Sequence, residues 1–163
     1  MALWFLVGLA LAGNPYEGRN SNITVERNLP VEKEQVLAVV TNLAKLEQVY
    51  PSHCLEEWVH GTQSNGLGAV SRVTYRFAHF KRRLAVEIVR DEGGIVDLDH
   101  HGDKGFVTRF TVAESEGGSK VKMETYVNAP GWPFRRYFFE TVQPLWIKCY
   151  EQALQQLPSV VEH

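Results

Sequence analysis

The sequence predicts an α+β domain in which a seven-stranded antiparallel sheet wraps around one long C-terminal helix. Three observations carry that expectation. From Leu55 to Asn128 apolar residues recur at every second position, in runs separated by short glycine-rich turns, as in antiparallel strands joined by hairpins. From Pro133 to Leu157 the period becomes helical. The composition is globular: of 163 residues, 44% are hydrophobic, 22% charged and 11% aromatic. That suits one domain with a sizeable core and excludes a disordered chain, a collagen-like fibre and a coiled coil.

The chain opens with MALWFLVGLALAG, Met1 to Gly13, which carries no charged side chain. As a helix this run covers about 20 Å, against a bilayer core of about 30 Å. It reads as a secretory signal with small residues at Ala10 and Ala12, or as a membrane anchor. The alternative is a segment docked on a cytoplasmic domain. An exported or membrane-associated location is therefore expected, with the cytoplasm as the other choice. Residues 14–22, NPYEGRNSN, form a linker of turn formers. Asn22-Ile23-Thr24 is a glycosylation acceptor pattern in a eukaryotic secretory context.

The domain is expected over residues 23–158. Ile23 to Arg27 is a short strand. A helix follows, begun by Pro30 and acidic residues up to Glu34, presenting Val36, Val40, Leu43 and Leu46 on one face. It ends at Tyr50-Pro51, because the residue before proline is pushed out of helical geometry. The strands then run Leu55–Thr62, Ala69–Phe80, Arg82–Asp91, Ile95–His101, Phe106–Glu114 and Lys120–Asn128. Turns stand at Ser64-Asn65-Gly66, Gly93-Gly94, Gly102–Gly105 and Glu116–Ser119. Pro133 starts the last helix and Pro158 lies beyond its end, leaving 159–163 as a tail. Pro144, inside it, removes a backbone hydrogen bond and is expected to kink it. Phe134, Phe138, Val142, Leu145, Trp146, Cys149 and Ala153 share one broad face, with Arg136, Glu140, Gln143 and Glu151 opposite.

A curved sheet around such a helix can enclose a cavity. The expected ligand-facing positions are Val73, Tyr75 and Phe77 on one strand and Leu84, Val86 and Ile88 on the next. Leu98, His100, Phe110 and Met123 extend the surface, and Phe134, Phe138, Val142 and Leu145 face it from the helix. Eight of the eighteen aromatic residues, Trp132 among them, lie between Tyr126 and Tyr150, as core packing or as pocket wall. Tyr75 and His79 offer polar anchors, or a rim hydroxyl and an exposed histidine. His100 points inward, either to orient a ligand and move protons or as a hydrogen-bonded interior histidine.

Other constellations are weaker. Asp97, Asp99 and His101 share one strand face, with Asp103 in the turn beyond. The residue types suit metal, but the neighbours are about 7 Å apart along the strand, and a solvated face is expected. Lys81-Arg82-Arg83 with Arg135-Arg136 form a basic rim suited to an anionic head group or a membrane surface, or simply solvated residues. The net charge of −2 and the absence of an aromatic-basic motif exclude bulk nucleic-acid binding. Two cysteines, Cys54 and Cys149, allow neither a disulfide scaffold nor a four-cysteine zinc site. They pair if the protein is exported and the first helical region packs on the last helix; otherwise they are buried thiols. No nucleophile elbow, phosphate loop or dinucleotide motif is present, and no cofactor or metal is implied.

The stretches ITVERNLPVEKEQVLAVVTNLAKLEQVYP at Ile23 to Pro51, Gly66-Leu67-Gly68-Ala69, and PLWIKCYEQALQQL at Pro144 to Leu157 resemble the START-like, or SRPBCC, helix-grip superfamily. The likeness is closest to its polyketide cyclase/dehydrase and lipid-transport type. A second resemblance, to the coenzyme-Q-binding branch, rests on Tyr50-Pro51-Ser52-His53-Cys54 without the aromatic and leucine residues which that branch places between them. The resemblance implies a pocket for a hydrophobic small molecule (a lipid, quinone or polyketide-like compound). It carries no shared catalytic motif. A non-catalytic carrier, a cyclase or dehydratase using the same pocket, and a membrane-tethered interaction module are the three functions it leaves.

Overall fold

The structure, a computed structural model, describes residues 21–77, 80–102, 105–127 and 133–161. The apolar run at 1–13, most of the linker, His79, Asp103 and Trp132 lie outside the described residues, as does the side chain of Phe77.

Seven strands form one antiparallel sheet. They are β1 (Ile23–Leu29), β2 (Leu55–His60), β3 (Val70–Phe77), β4 (Phe80–Glu92), β5 (Ile95–His101), β6 (Phe106–Ser115) and β7 (Gly118–Val127). The spatial order is β1-β7-β6-β5-β4-β3-β2, so β2 to β7 form a meander and β1 closes on its far edge. Alternation sends Val73 and Tyr75, Leu84, Val86 and Ile88, Val96 and Leu98 to a buried inner face. A bulge between Ile88 and Arg90 bends β4 and leaves Val89 exposed.

The expected first helix is two helices, α1 (Lys33–Val40) and α2 (Leu43–Val49). Asn42 causes the break. Its side chain accepts from the backbone N–H of Ala44 at 3.0 Å and of Lys45 at 3.2 Å, capping α2. The break is also fastened from outside. Leu43 N–H donates to Ser64 and Gly66 N–H donates to Thr41. Val36, Val40, Leu43 and Leu46 are all fully buried, so the periodic face survives the interruption.

The C-terminal helical path has three parts: α3 (Phe134–Tyr137), a π-helical turn (Phe138–Val142) and α4 (Gln143–Val161). Where a kink is expected at Pro144, the structure has a π turn directly before it. Pro144 is the second residue of α4, directly after that turn, and donates no backbone hydrogen bond there. At the other end the expectation is corrected: the helix does not stop before Pro158 but runs to Val161. Leu157 and Val160 are buried beneath that last turn, and their burial offsets the hydrogen bond that Pro158 removes. The inner face of α4 is Trp146, Cys149, Tyr150, Ala153, Leu154, Leu157 and Val160, a helical stripe against the sheet.

Strand polarity places several strand ends at one end of the sheet. Ser21 precedes the start of β1, and the ends of β3 at Phe77, β5 at His101 and β7 at Val127 lie at that same end. Cys54, just before β2, is joined to Cys149 of α4 by a disulfide with Cα atoms 6.1 Å apart. Of the two readings left by the sequence, pairing is the one observed.

Candidate ligand-binding site

The inner face between sheet and α4 is mostly apolar, and two hydrogen-bonded polar groups are buried in it. The first is Tyr75 of β3 and His100 of β5, whose side chains meet across β4, with the Tyr75 hydroxyl 2.8 Å from His100 Nε2. The other ring nitrogen, Nδ1, lies 3.1 Å from the Leu98 carbonyl. A carbonyl only accepts, so Nδ1 carries the proton. Burial lowers the His100 pKa to about 3, so the ring is neutral at physiological pH. Nε2 is then the acceptor and the Tyr75 hydroxyl the donor. A phenol oxygen that donates one hydrogen bond can also accept. The imidazole stacks on Phe106 with centroids 4.0 Å apart, and Phe106 meets Trp146 of α4 edge-on at 4.7 Å. The rings fix the pair from both sides.

The second group is a triangle of hydroxyls. Tyr150 of α4 lies 2.7 Å from Thr125 and 3.0 Å from Thr108, and the two threonines are 3.0 Å apart. Each hydroxyl in such a ring can donate once and accept once. Burial raises the pKa of Tyr150, Tyr75 and Tyr50, and all three phenols stay protonated.

Of the sequence-predicted ligand positions, Val73, Tyr75, Leu84, Val86, Ile88, Leu98, His100, Phe110, Met123 and Phe138 are buried, while Val142 is half-buried. Phe134 and Leu145 differ: they are 67% and 39% exposed. Leu145 lies seven residues after Phe138, which in an uninterrupted α-helix puts it on the same face. The π turn takes more residues per turn than an α-helix and rotates Trp146 inward instead. Phe134 stands on the first residue of α3, before the helix reaches the sheet. Tyr137 and Phe139 are exposed as well.

Sequence reasoning missed the polar half of the site. Thr108 and Thr125 alternate in phase with Phe110 and Met123. Polar residues on an apolar phase were the available signal. Asp97 needs a correction too. It shares a face with Asp99 and His101, but it is completely buried rather than solvated. The Arg109 guanidinium grips it with two nitrogens at 2.8 and 2.9 Å, because the two residues are register partners on β5 and β6. His101 pairs with Glu87 at 2.9 Å. Among the described residues, the one grouping with metal-ligand spacing is His53 with Cys54 and Cys149, and both its sulfurs are in the disulfide. A separate open groove of about 370 Å³ lies along Val59, His60, Gly68 and Val70. It contains none of the expected ligand positions.

No protein-family model matches the chain, and no curated protein matches its sequence. Solved structures do match. The KanY protein, known from a solution structure, aligns with 90% of this chain and 99% of its own, at 18% identity and a TM-score of 0.74. TTHA0849 from Thermus thermophilus aligns over 85% and 95%, at 19% identity and a TM-score of 0.71. The chain has the helix-grip fold. Ara h 8.0201 extends the likeness, over 86% and 97% of the two chains, at 15% identity and a TM-score of 0.59. Identities this low establish the helix-grip fold alone, and proteins of this fold commonly bind hydrophobic ligands.

Proposed function

We propose that this helix-grip protein binds and carries a hydrophobic small molecule between the inner face of its sheet and α4. The observation that carries the reading is the buried Tyr75–His100 pair. Both side chains are buried among apolar neighbours, and the Tyr75 hydroxyl lies 2.8 Å from His100 Nε2. Apolar burial supplies affinity, at about 25 cal/mol per Å², and the pair orients one donor group of the ligand. Half-buried Val142 and exposed Phe134 are further positions proposed to meet the ligand.

A cyclase or dehydratase role is the weaker reading. A histidine held near pKa 3 is too weak a base to take a proton efficiently at neutral pH. The proposal includes an exported or membrane-associated location. The uncharged run at Met1 to Gly13 supports it, as does the disulfide, since such bonds persist in oxidising compartments. Among the described residues no helix is long and apolar enough to cross a membrane.

Native mass spectrometry of the gently purified full chain, followed by organic extraction, tests the carrier reading. The expected result is a stoichiometric extra mass that extracts as one hydrophobic compound. A chain that stays at its calculated mass, and takes up no apolar compound when offered one, overturns it.

A further inference from the structure

We infer that the ligand is a carboxylic acid with an apolar body, and that Arg82 receives its carboxylate. This rests on the carrier reading above. The basic run Lys81-Arg82-Arg83 does not behave as a unit. Lys81 bonds Glu56 at 2.6 Å and Arg83 lies 3.7 Å from Glu57, both pairs on the outer side of the sheet. Arg82 has the opposite phase. It is the register partner of buried Tyr75, as Leu84 is of Val73 and Val86 of Ser71, so it shares the inner face. From Arg82 to the bulge the inner positions of β4 are Arg82, Leu84, Val86 and Ile88, and Arg82 alone of these is charged. It is half-buried where Lys81 and Arg83 are exposed.

Cross-strand neighbours on one face have Cβ atoms about 5 Å apart, which puts the guanidinium stem beside Tyr75. Arg82 also stands at the end of the sheet where β1 begins and β3 and β7 end, with Leu84, Val86 and Ile88 leading inward from it. A molecule laid along β4 with its body against those residues has its head at Arg82. A guanidinium offers paired N–H donors matched to a carboxylate and stays charged at any physiological pH. At a half-buried position its attraction is screened less than at the surface. Whatever Arg82 touches in the free chain, a carboxylate competes for the same donors.

The test is a fluorescence titration of the full chain with 11-(dansylamino)undecanoic acid and with its methyl ester, which keeps the apolar body and removes the charge. The acid is expected to bind about tenfold to hundredfold more tightly, the range of a hydrogen bond to a charged group, and added salt should narrow the gap. Arg82→Met, which retains an apolar stem, should bring the acid down to the affinity of the ester. Arg83→Met should leave both unchanged. Equal affinity for acid and ester in the unaltered chain overturns the inference while leaving the carrier reading standing. So does an acid preference that survives Arg82→Met. Binding of neither probe overturns both. If Arg82→Met does not fold, the acid-to-ester ratio and its salt dependence in the unaltered chain decide alone.

Discussion

The Tyr150 triangle and the Tyr75–His100 pair occupy the same inner surface, but their hydrogen bonds are organised differently. In the triangle three hydroxyls from α4, β6 and β7 satisfy one another within 3.0 Å, and no ligand is needed to complete it. Its helix is also held covalently, since Cys149 precedes Tyr150 and is bonded to Cys54. In the pair a backbone carbonyl sets the tautomer of His100, and the imidazole accepts a hydrogen bond from the Tyr75 hydroxyl. Burial of a polar group therefore does not by itself mark a binding site. In the carrier reading the two differ in role: the triangle joins α4 to two strands, whereas the pair joins two strands and is asked to orient a ligand. The triangle fastens α4 to the sheet, and the pair addresses whatever lies between them.

The comparison can be broken by removing members of each class, beginning with a benchmark outside both. Asp97–Arg109 is a buried ion pair on the opposite face of the sheet. Arg109→Met leaves Asp97 buried without this partner and should lower stability by about 3–5 kcal/mol in chemical denaturation, with no effect on ligand affinity. Cutting the disulfide with Cys54→Ala and Cys149→Ala releases a crosslink between residues 95 apart in sequence. The expected loss is about 2–4 kcal/mol, read as a melting temperature lower by roughly 5–12 °C. Ligand affinity should change much less than stability. If both variants weaken binding as strongly as they weaken the fold, the division between fastening and addressing groups is wrong.

The next effect is pH-dependent. His100 is held near pKa 3 in the fold and returns to about 6.5 when unfolded. Between those values the unfolded chain binds a proton that the folded chain refuses. The stability that neutral His100 allows is fully present above about pH 6.5 and is lost as pH falls toward about 3, at about 1.4 kcal/mol per pH unit. In His100→Asn that part of the slope should vanish; identical slopes in both proteins would show that His100 does not stay neutral. The smallest effect is expected from Tyr150→Phe. Thr108 and Thr125 remain bonded to each other, so the loss should be about 1 kcal/mol, measured by urea unfolding.

Much of this fold was legible in the sequence because its two periods are clean. Val73, Leu84, Val86 and Ile88 alternate with charged neighbours, and the α4 stripe recurs at helical spacing, so strand and helix follow from counting. The interruptions were less legible. Asn42 caps a helix inside an otherwise continuous apolar pattern, and the π turn at Phe138–Val142 moves Leu145 outward and Trp146 inward without any proline at the turn itself. A helical wheel assumes one rotation per residue, so it cannot register such a change. The site divided similarly. Tyr75 and His100 were found because they sit in phase with apolar residues. Asp97 was read as solvated because its cover, Arg109, is twelve residues away and becomes a neighbour only through the β5–β6 register.

The most direct test of the account compares Tyr75→Phe with Tyr150→Phe. Each removes one hydroxyl from the same inner surface and leaves the aromatic ring. Full-length proteins purified side by side would be examined by native mass spectrometry for the retained hydrophobic compound, with urea unfolding as the parallel readout. The account predicts that Tyr150→Phe retains the compound at the level of the unaltered chain while losing stability. Tyr75→Phe should release most of it while unfolding at nearly the same urea concentration as the unaltered chain. Equal retention by the two variants, or release by Tyr150→Phe alone, would contradict it.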